Sequence, residues 1–165
     1  MSTRFAIIPG LFALCFFVPP ITAHTQRLYP VQGPATAQTP PPNFTAKLTN
    51  YLKNSGVITL TQAGGETFQG PWTTVTITFI NTKTPGTPSS YPPQPNLAFA
   101  WDLVYGAGYF NTHILGSQTV GQATATGDSG TVLQLEFQKE KLGATIDNIF
   151  GVAADNKGNI YKVVL

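Results

Sequence analysis

From residue 72 to residue 80 the chain reads WTTVTITFI, with Val75, Ile77 and Phe79 alternating with Thr74, Thr76 and Thr78. A period of two puts the apolar side chains on one face and the hydroxyls on the other, the pattern of a half-buried strand. Upstream, residues 56–62 (GVITLTQ) place Ile58 and Leu60 on one face, and residues 63–66 (AGGE) offer two glycines for a turn. The two segments are therefore expected to pair as a hairpin. The same pattern resumes later, with a strand of small side chains over 117–126, a TGDSG turn at 126–130, and a strand over 131–138 with Leu133, Leu135 and Phe137 inward. The KEK segment at 139–141 reads as a charged, solvated bend. Residues 145–154 carry Ile146, Phe150 and Val152 on one face, although Leu142, Ile146 and Ile149 at helical spacing leave a helix open there. DNKG at 155–158 is a hairpin turn with glycine where positive φ is needed, and 159–165 closes the chain as a strand.

These readings predict a mainly β fold, a single antiparallel sandwich or small barrel of about six to eight strands. One segment is ambiguous. Over 97–108 (LAFAWDLVYGAG), Trp101, Val104 and Tyr105 share a helical face, whereas Leu97, Phe99, Trp101, Leu103 and Tyr105 share a strand face. Ala98, Ala100 and Asp102 are poor strand residues and tip the reading toward a short helix near 97–106.

The amino end has a different logic. Arg4 precedes an uncharged apolar run over 5–18, Pro19 and Pro20 break any helix, and Ala23 offers a small residue before His24. Basic start, apolar middle, helix break and small-residue exit describe a secretory signal over 1–23. The run falls short of the ~20 apolar residues that a spanning helix needs, so no transmembrane span is expected in the mature chain. Cys15 is the single cysteine and lies inside the run. Leu14 before it is too large for a lipoprotein site, which disfavours a lipid-anchored form. Cleavage after Ala23 leaves a thiol-free chain, without disulfides, thiolate nucleophile or cysteine-bound zinc. The expected location is periplasmic or extracellular. Residues 24–43 hold five prolines and read as an extended spacer, 44–165 as the β-domain, and 81–96, again with five prolines, as a long loop within it.

Charge excludes one class of partner. Without Arg4, eight Lys and Arg face seven Asp and Glu, which is no electrostatic footprint for nucleic acid. Charged residues make up 10% of the chain, well below the usual quarter, so Thr, Ser, Asn and Gln supply the polar surface. The motifs that suggest catalysis each fail on context. GDSG at 127–130 resembles the nucleophile segment of chymotrypsin-like proteases, but its only partners would be His113 and Asp102, in the wrong order and too close in sequence to Ser129. D-S-G in a turn accounts for the residues. One embedded histidine cannot anchor zinc. Glu136 and Glu140 are the one close carboxylate pair that a glycosidase reading could use. DNKGN at 155–159 has a lysine among its would-be calcium ligands, and no phosphate loop is present. The expectation is a protein that is not an enzyme and needs no cofactor or metal.

Aromatic residues gather in the middle third: Trp72, Tyr91, Trp101, Tyr105 and Tyr109 are the candidate binding surface. Rings exposed on a β-face stack on sugars or peptides, so an envelope glycan or a protein is the kind of partner they would fit. Several segments also resemble a group of uncharacterised exported proteins of Gram-negative bacteria, many of them lipoprotein-like. These are RLYPVQGP at 27–34, NSGVI at 54–58, GETFQG at 65–70 with Trp72, WDLVYG at 101–106 and GVAADNKGNIYK at 151–162. The resemblance implies a bacterial envelope location and no known activity. The expected function is thus a structural or interaction role at the cell envelope or outside the cell, with small-ligand or glycan binding in an aromatic groove as the alternative.

Overall fold

Alternation of apolar and polar side chains recurs along eight segments, and each becomes an antiparallel strand. The computed structural model describes residues 26–77, 97–117, 120–142 and 145–164. The strands are β1 (Gln26–Gln32), β2 (Phe44–Leu48), β3 (Ser55–Gln62), β4 (Thr67–Val75), β5 (Val120–Gly127), β6 (Val132–Leu142), β7 (Thr145–Asp155) and β8 (Ile160–Val164). They follow one another in chain order around a closed barrel, β1 pairing with both β2 and β8. The expected mainly β fold is thereby resolved in favour of a barrel over a sandwich. The ambiguous segment is a helix, α1 (Leu97–Tyr105). It is followed by a single π-helical turn, Phe110–Ile114.

Three local expectations are corrected. The 24–43 segment is not a spacer, because Gln26–Gln32 forms the strand that closes the barrel and Pro34–Ala37 forms a short 3-10 helix. Leu28 is fully buried there between Phe44 and Val163, a contact that five prolines hide from a reading of local pattern. The strand expected over 72–80 begins earlier, at Thr67, and its hairpin with β3 runs from Thr61↔Thr67 to Ser55↔Thr73. Thr76 and Ile77 lie beyond β4, and Phe79 falls outside the described residues. The charged bend at 139–141 is instead a continuation of β6, paired to β7 with a bulge between Glu140 and Lys141. The helix left open over 142–149 is not formed, β7 running unbroken from Thr145.

Inward-facing side chains fill the barrel. Phe44, Phe68 and Tyr161 meet edge to face toward one end, with ring centroids 5.7 and 5.4 Å apart, and Trp72 meets Phe137 at 5.6 Å toward the other. Large rings fit because their neighbours across the sheet are small. Phe137 pairs with Gly121 on β5 and Gly151 on β7, and Trp72 pairs with Gly56 and Ala123. A β-carbon on Gly121 would lie 2.3 Å from the Phe137 ring. Alternation of small and large residues is how a small barrel packs its taper.

Both ends are capped. At the Trp72 end, the indole donates to the Thr49 carbonyl at 3.1 Å, and Lys139 lies 4.7 Å over the Trp72 ring while donating to the Lys53 carbonyl. At the other end, the buried Asp155 carboxylate accepts from the amides of Lys157 and Asn159, the Asn159 side chain and the Tyr161 hydroxyl. Asn159 in turn accepts from the Ala35 amide at 2.7 Å, which ties the 3-10 helix over this end. The outer wall mixes exposed polar side chains, among them Thr45, Lys47, Thr61, Gln69 and Thr126, with exposed Tyr29, Val31, Val57 and Val164. Among the described residues no helix is long and apolar enough to cross a membrane.

The glycine–aromatic fit generates a testable expectation. Gly121→Ala should lower stability by about 1–3 kcal/mol through overpacking, read as a shift in the urea midpoint. Combined with Phe137→Leu, which vacates the ring volume, its cost should shrink by at least half; strictly additive losses would show that the two sites do not share space.

Candidate functional site

A filled interior leaves the outer wall as the place where a ligand can bind. The chain between β4 and β5 leaves the barrel at the Trp72 end, and α1 packs back over the outer faces of β7 and β8. Ala100, Trp101, Ile114, Val120, Val152, Ala154 and Ile160 form a second apolar cluster there, outside the barrel. Alternation along β7 is what feeds both cores, sending Ile149 and Ala153 inward and Val152 and Ala154 outward.

Trp101, Tyr105, Tyr109 and His113 recur every four residues. The first three rings form a triangle with centroids 5.3, 5.0 and 5.8 Å apart, Trp101 and Tyr109 near parallel, and His113 stacks on Tyr109 at 4.3 Å. Phe150 meets Trp101 and Tyr105 edge-on from β7, and Lys162 of β8 stands 5.5 Å from the Tyr105 ring. The Tyr105 hydroxyl donates to the Gly151 carbonyl. Burial, then the neighbouring Tyr109, push its pKa up to about 12, so it stays protonated across the neutral range. Burial and then the charge of Glu140 also raise Tyr109.

The buried member of this cluster, Trp101, meets a carboxylate. The Trp101 indole donates to Glu136 Oε2 at 2.8 Å, and the Gln122 amide donates to Oε1 at 2.9 Å. Glu136 projects from the outer face of β6 and is 5% exposed. It lines a groove of about 600 Å³ between the wall and the start of α1. The walls are Thr73, Gln122, Thr124 and Gln134 from three strands, with Leu97 and Phe110 on the helical side. A concave site carrying a few convergent polar groups beside an aromatic ring is the usual form of a small-ligand site.

The five residues singled out from sequence divide. Trp101, Tyr105 and Tyr109 come together in the ring cluster. Trp72 does not, being 2% exposed inside the barrel, and Trp101 is itself fully buried, so neither indole is a contact surface. Both were claimed by packing, because each has a carbonyl or carboxylate within reach of its N–H and small neighbours to receive its ring. Tyr91 lies outside the described residues, as do 81–96 and the leader.

The residues that suggested catalysis are kept apart. Ser129 and His113 sit beyond opposite ends of the eight-residue strand β5, more than about 20 Å apart at 3.3 Å per residue. The Ser129 amide donates to Glu66, and Asp102 accepts from the Phe110 amide. Glu136 and Glu140 share the outer face of β6 but are about 13 Å apart along it. That exceeds either glycosidase spacing. Among the described residues no group of three or more His, Cys, Asp and Glu side chains could hold a metal.

Glu136, Gln122 and Gln134 escaped the sequence reading as groove residues. A signal for the ring cluster was present, since the four-residue spacing of Trp101, Tyr105 and Tyr109 extends to His113 across the glycines at 106 and 108. Comparisons of the chain with protein-family models, with curated proteins and with solved structures returned no match.

At the Asp155 end, Glu66 yields a pH expectation. Burial tends to raise its pKa, but the Thr131 hydroxyl, the Ser129 and Thr131 amides and the charge of Lys157 outweigh it and hold the carboxyl below its ordinary value. A carboxyl depressed in the folded state adds stability above its unfolded pKa, and that stability is lost as pH falls through the folded value. The Tm of the wild type should therefore drop below about pH 4.5 more steeply than that of Glu66→Gln, with the two melting curves converging at the acid end.

Proposed function

We propose that this chain is an exported, non-catalytic binding module that takes a small polar ligand, a glycan by chemistry, in the groove between its barrel wall and α1. The observation that carries the reading is the pairing of a side-chain-filled interior with a wall groove of about 600 Å³ whose floor holds Glu136. Hydroxyl-rich ligands are held by planar amides and carboxylates that accept and donate in pairs, with an aromatic ring against the apolar face of the sugar. Gln122, Gln134, Glu136, Thr73 and Thr124 supply the first set and Phe110 the second.

The non-catalytic part is supported by the separation of Ser129 from His113 and by the engagement of Asp102 with backbone. Export is supported by the order of residues 1–23, by the resemblance to exported bacterial proteins, and by the position of the first strand. β1 starts at Gln26, so a cut after Ala23 removes no barrel residue.

Two measurements check these readings. Titration of the processed protein with soluble oligosaccharides should give saturable heat and a shift in Trp101 emission, because that indole is bonded to the groove carboxylate. Gln134→Ala, which unfolds nothing by its position on the wall, should weaken binding about tenfold, the worth of one hydrogen bond to a ligand. A flat response across neutral and amino oligosaccharides would remove the binding reading. Amino-terminal sequencing of the protein recovered outside the cytoplasm should begin at His24; an intact Met1 terminus in the cytosol would remove export.

A further inference from the structure

We propose that the occupant of the wall groove is an amino sugar whose protonated amine is recognised by Glu136; this rests on reading the groove as a ligand site. Among the described residues Glu136 is the one carboxylate lining that groove, and it is 5% exposed. Its hydrogen-bond partners among the described residues, the Trp101 indole and the Gln122 amide, are both neutral. A carboxylate has about four acceptor positions, and these two donors leave it with unused ones. Burying an ionised carboxylate is costly unless an opposite charge or a full set of donors compensates.

Among the described residues, neighbouring cations do not provide that compensation. Lys139, the next inward residue of β6, is turned into the barrel, where it lies over Trp72 and donates to the Lys53 carbonyl. Lys162 on β8 stands over Tyr105. The other groove walls, Thr73, Thr124, Gln134, Leu97 and Phe110, are uncharged. A ligand ammonium would bring the missing charge, form a charge-assisted hydrogen bond to the free acceptor positions, and lie against the face of Phe110. The amides and hydroxyls beside it suit the ring hydroxyls of a sugar, which favours an amino sugar over a bare amine.

The test compares a glucosamine tetramer with its fully N-acetylated counterpart, titrated calorimetrically into the processed protein at neutral pH. The free-amine sugar should bind at least about tenfold tighter, the difference between a charge-assisted and a neutral hydrogen bond. Glu136→Gln, which keeps an acceptor for the Trp101 indole, should erase that preference, bringing the affinities of the two sugars to within about threefold of each other. Should Glu136→Gln fail to fold, Gln134→Lys serves instead. It sets a fixed ammonium two residues along the same face and should abolish binding of the free-amine sugar with little effect on Tm. Equal binding of both sugars, or a preference that survives these substitutions, overturns the amine inference while the groove reading stands. Binding of neither sugar overturns both.

Discussion

Phe137 stands inside the barrel with a glycine on each side, Gly121 across one ladder and Gly151 across the other. That arrangement sets much of the rest. An eight-stranded barrel is wide enough either to be filled by its own side chains or to hold one small ligand. Here the choice is made by rings packed into spaces that glycines open, since Trp72 uses Gly56 as Phe137 uses Gly121 and Gly151. A side chain at any of these glycines would have to displace a ring or a backbone carbonyl. Because the interior is occupied from the Phe44 end to the Lys139 end, the groove of about 600 Å³ lies on the wall.

The wall is equipped for it by the long connection between β4 and β5. Hydrophobic burial holds α1 in place through Trp101 and Ala100 on one side and Val152, Ala154 and Ile160 on the other. A purely apolar contact would have been enough for packing. Instead, the same helix covers an outward-facing glutamate of β6 and brings an indole N–H onto it. The stabilisation from the apolar cluster offsets the cost of desolvating that carboxylate, and the groove inherits a charged group in an environment of low dielectric, where its attraction for an opposite charge is strongest.

Much of this was legible in the chain, and the exceptions have physical reasons. Strict alternation exposed β3, β6 and β8, and glycine-bearing turns marked the hairpins at 63–66, 126–130 and 155–158. Poor strand formers at 98, 100 and 102 pointed correctly to α1. β1 was missed because its partner in burial, Val163, is more than a hundred residues away and its prolines mask the local pattern. Lys139 was read as part of a solvated bend because it puts a charge on the inward face of β6, where the Trp72 ring and the carbonyls of Tyr51 and Lys53 receive it. Glu136 could be seen as an acidic residue but not as a buried one, since its burial depends on a helix placed by tertiary contacts. Conversely, Trp72 and Trp101 were conspicuous for their size, and size is what draws a residue into a core.

The pairing of β1 with β8 also has a consequence for assembly. Seven of the eight ladders join neighbours in sequence and can zip as soon as each hairpin is made, whereas the eighth joins Gln26–Gln32 to Ile160–Val164. Throughout its emergence, whether from a ribosome or through a translocation pore, the chain carries one open flank on its oldest strand and another on its newest. Such flanks invite strand exchange with other copies, and the proline in the middle of β1 takes one donor away from that exposed edge. The molecule thus stays an unfinished ribbon until β8 is available to meet β1.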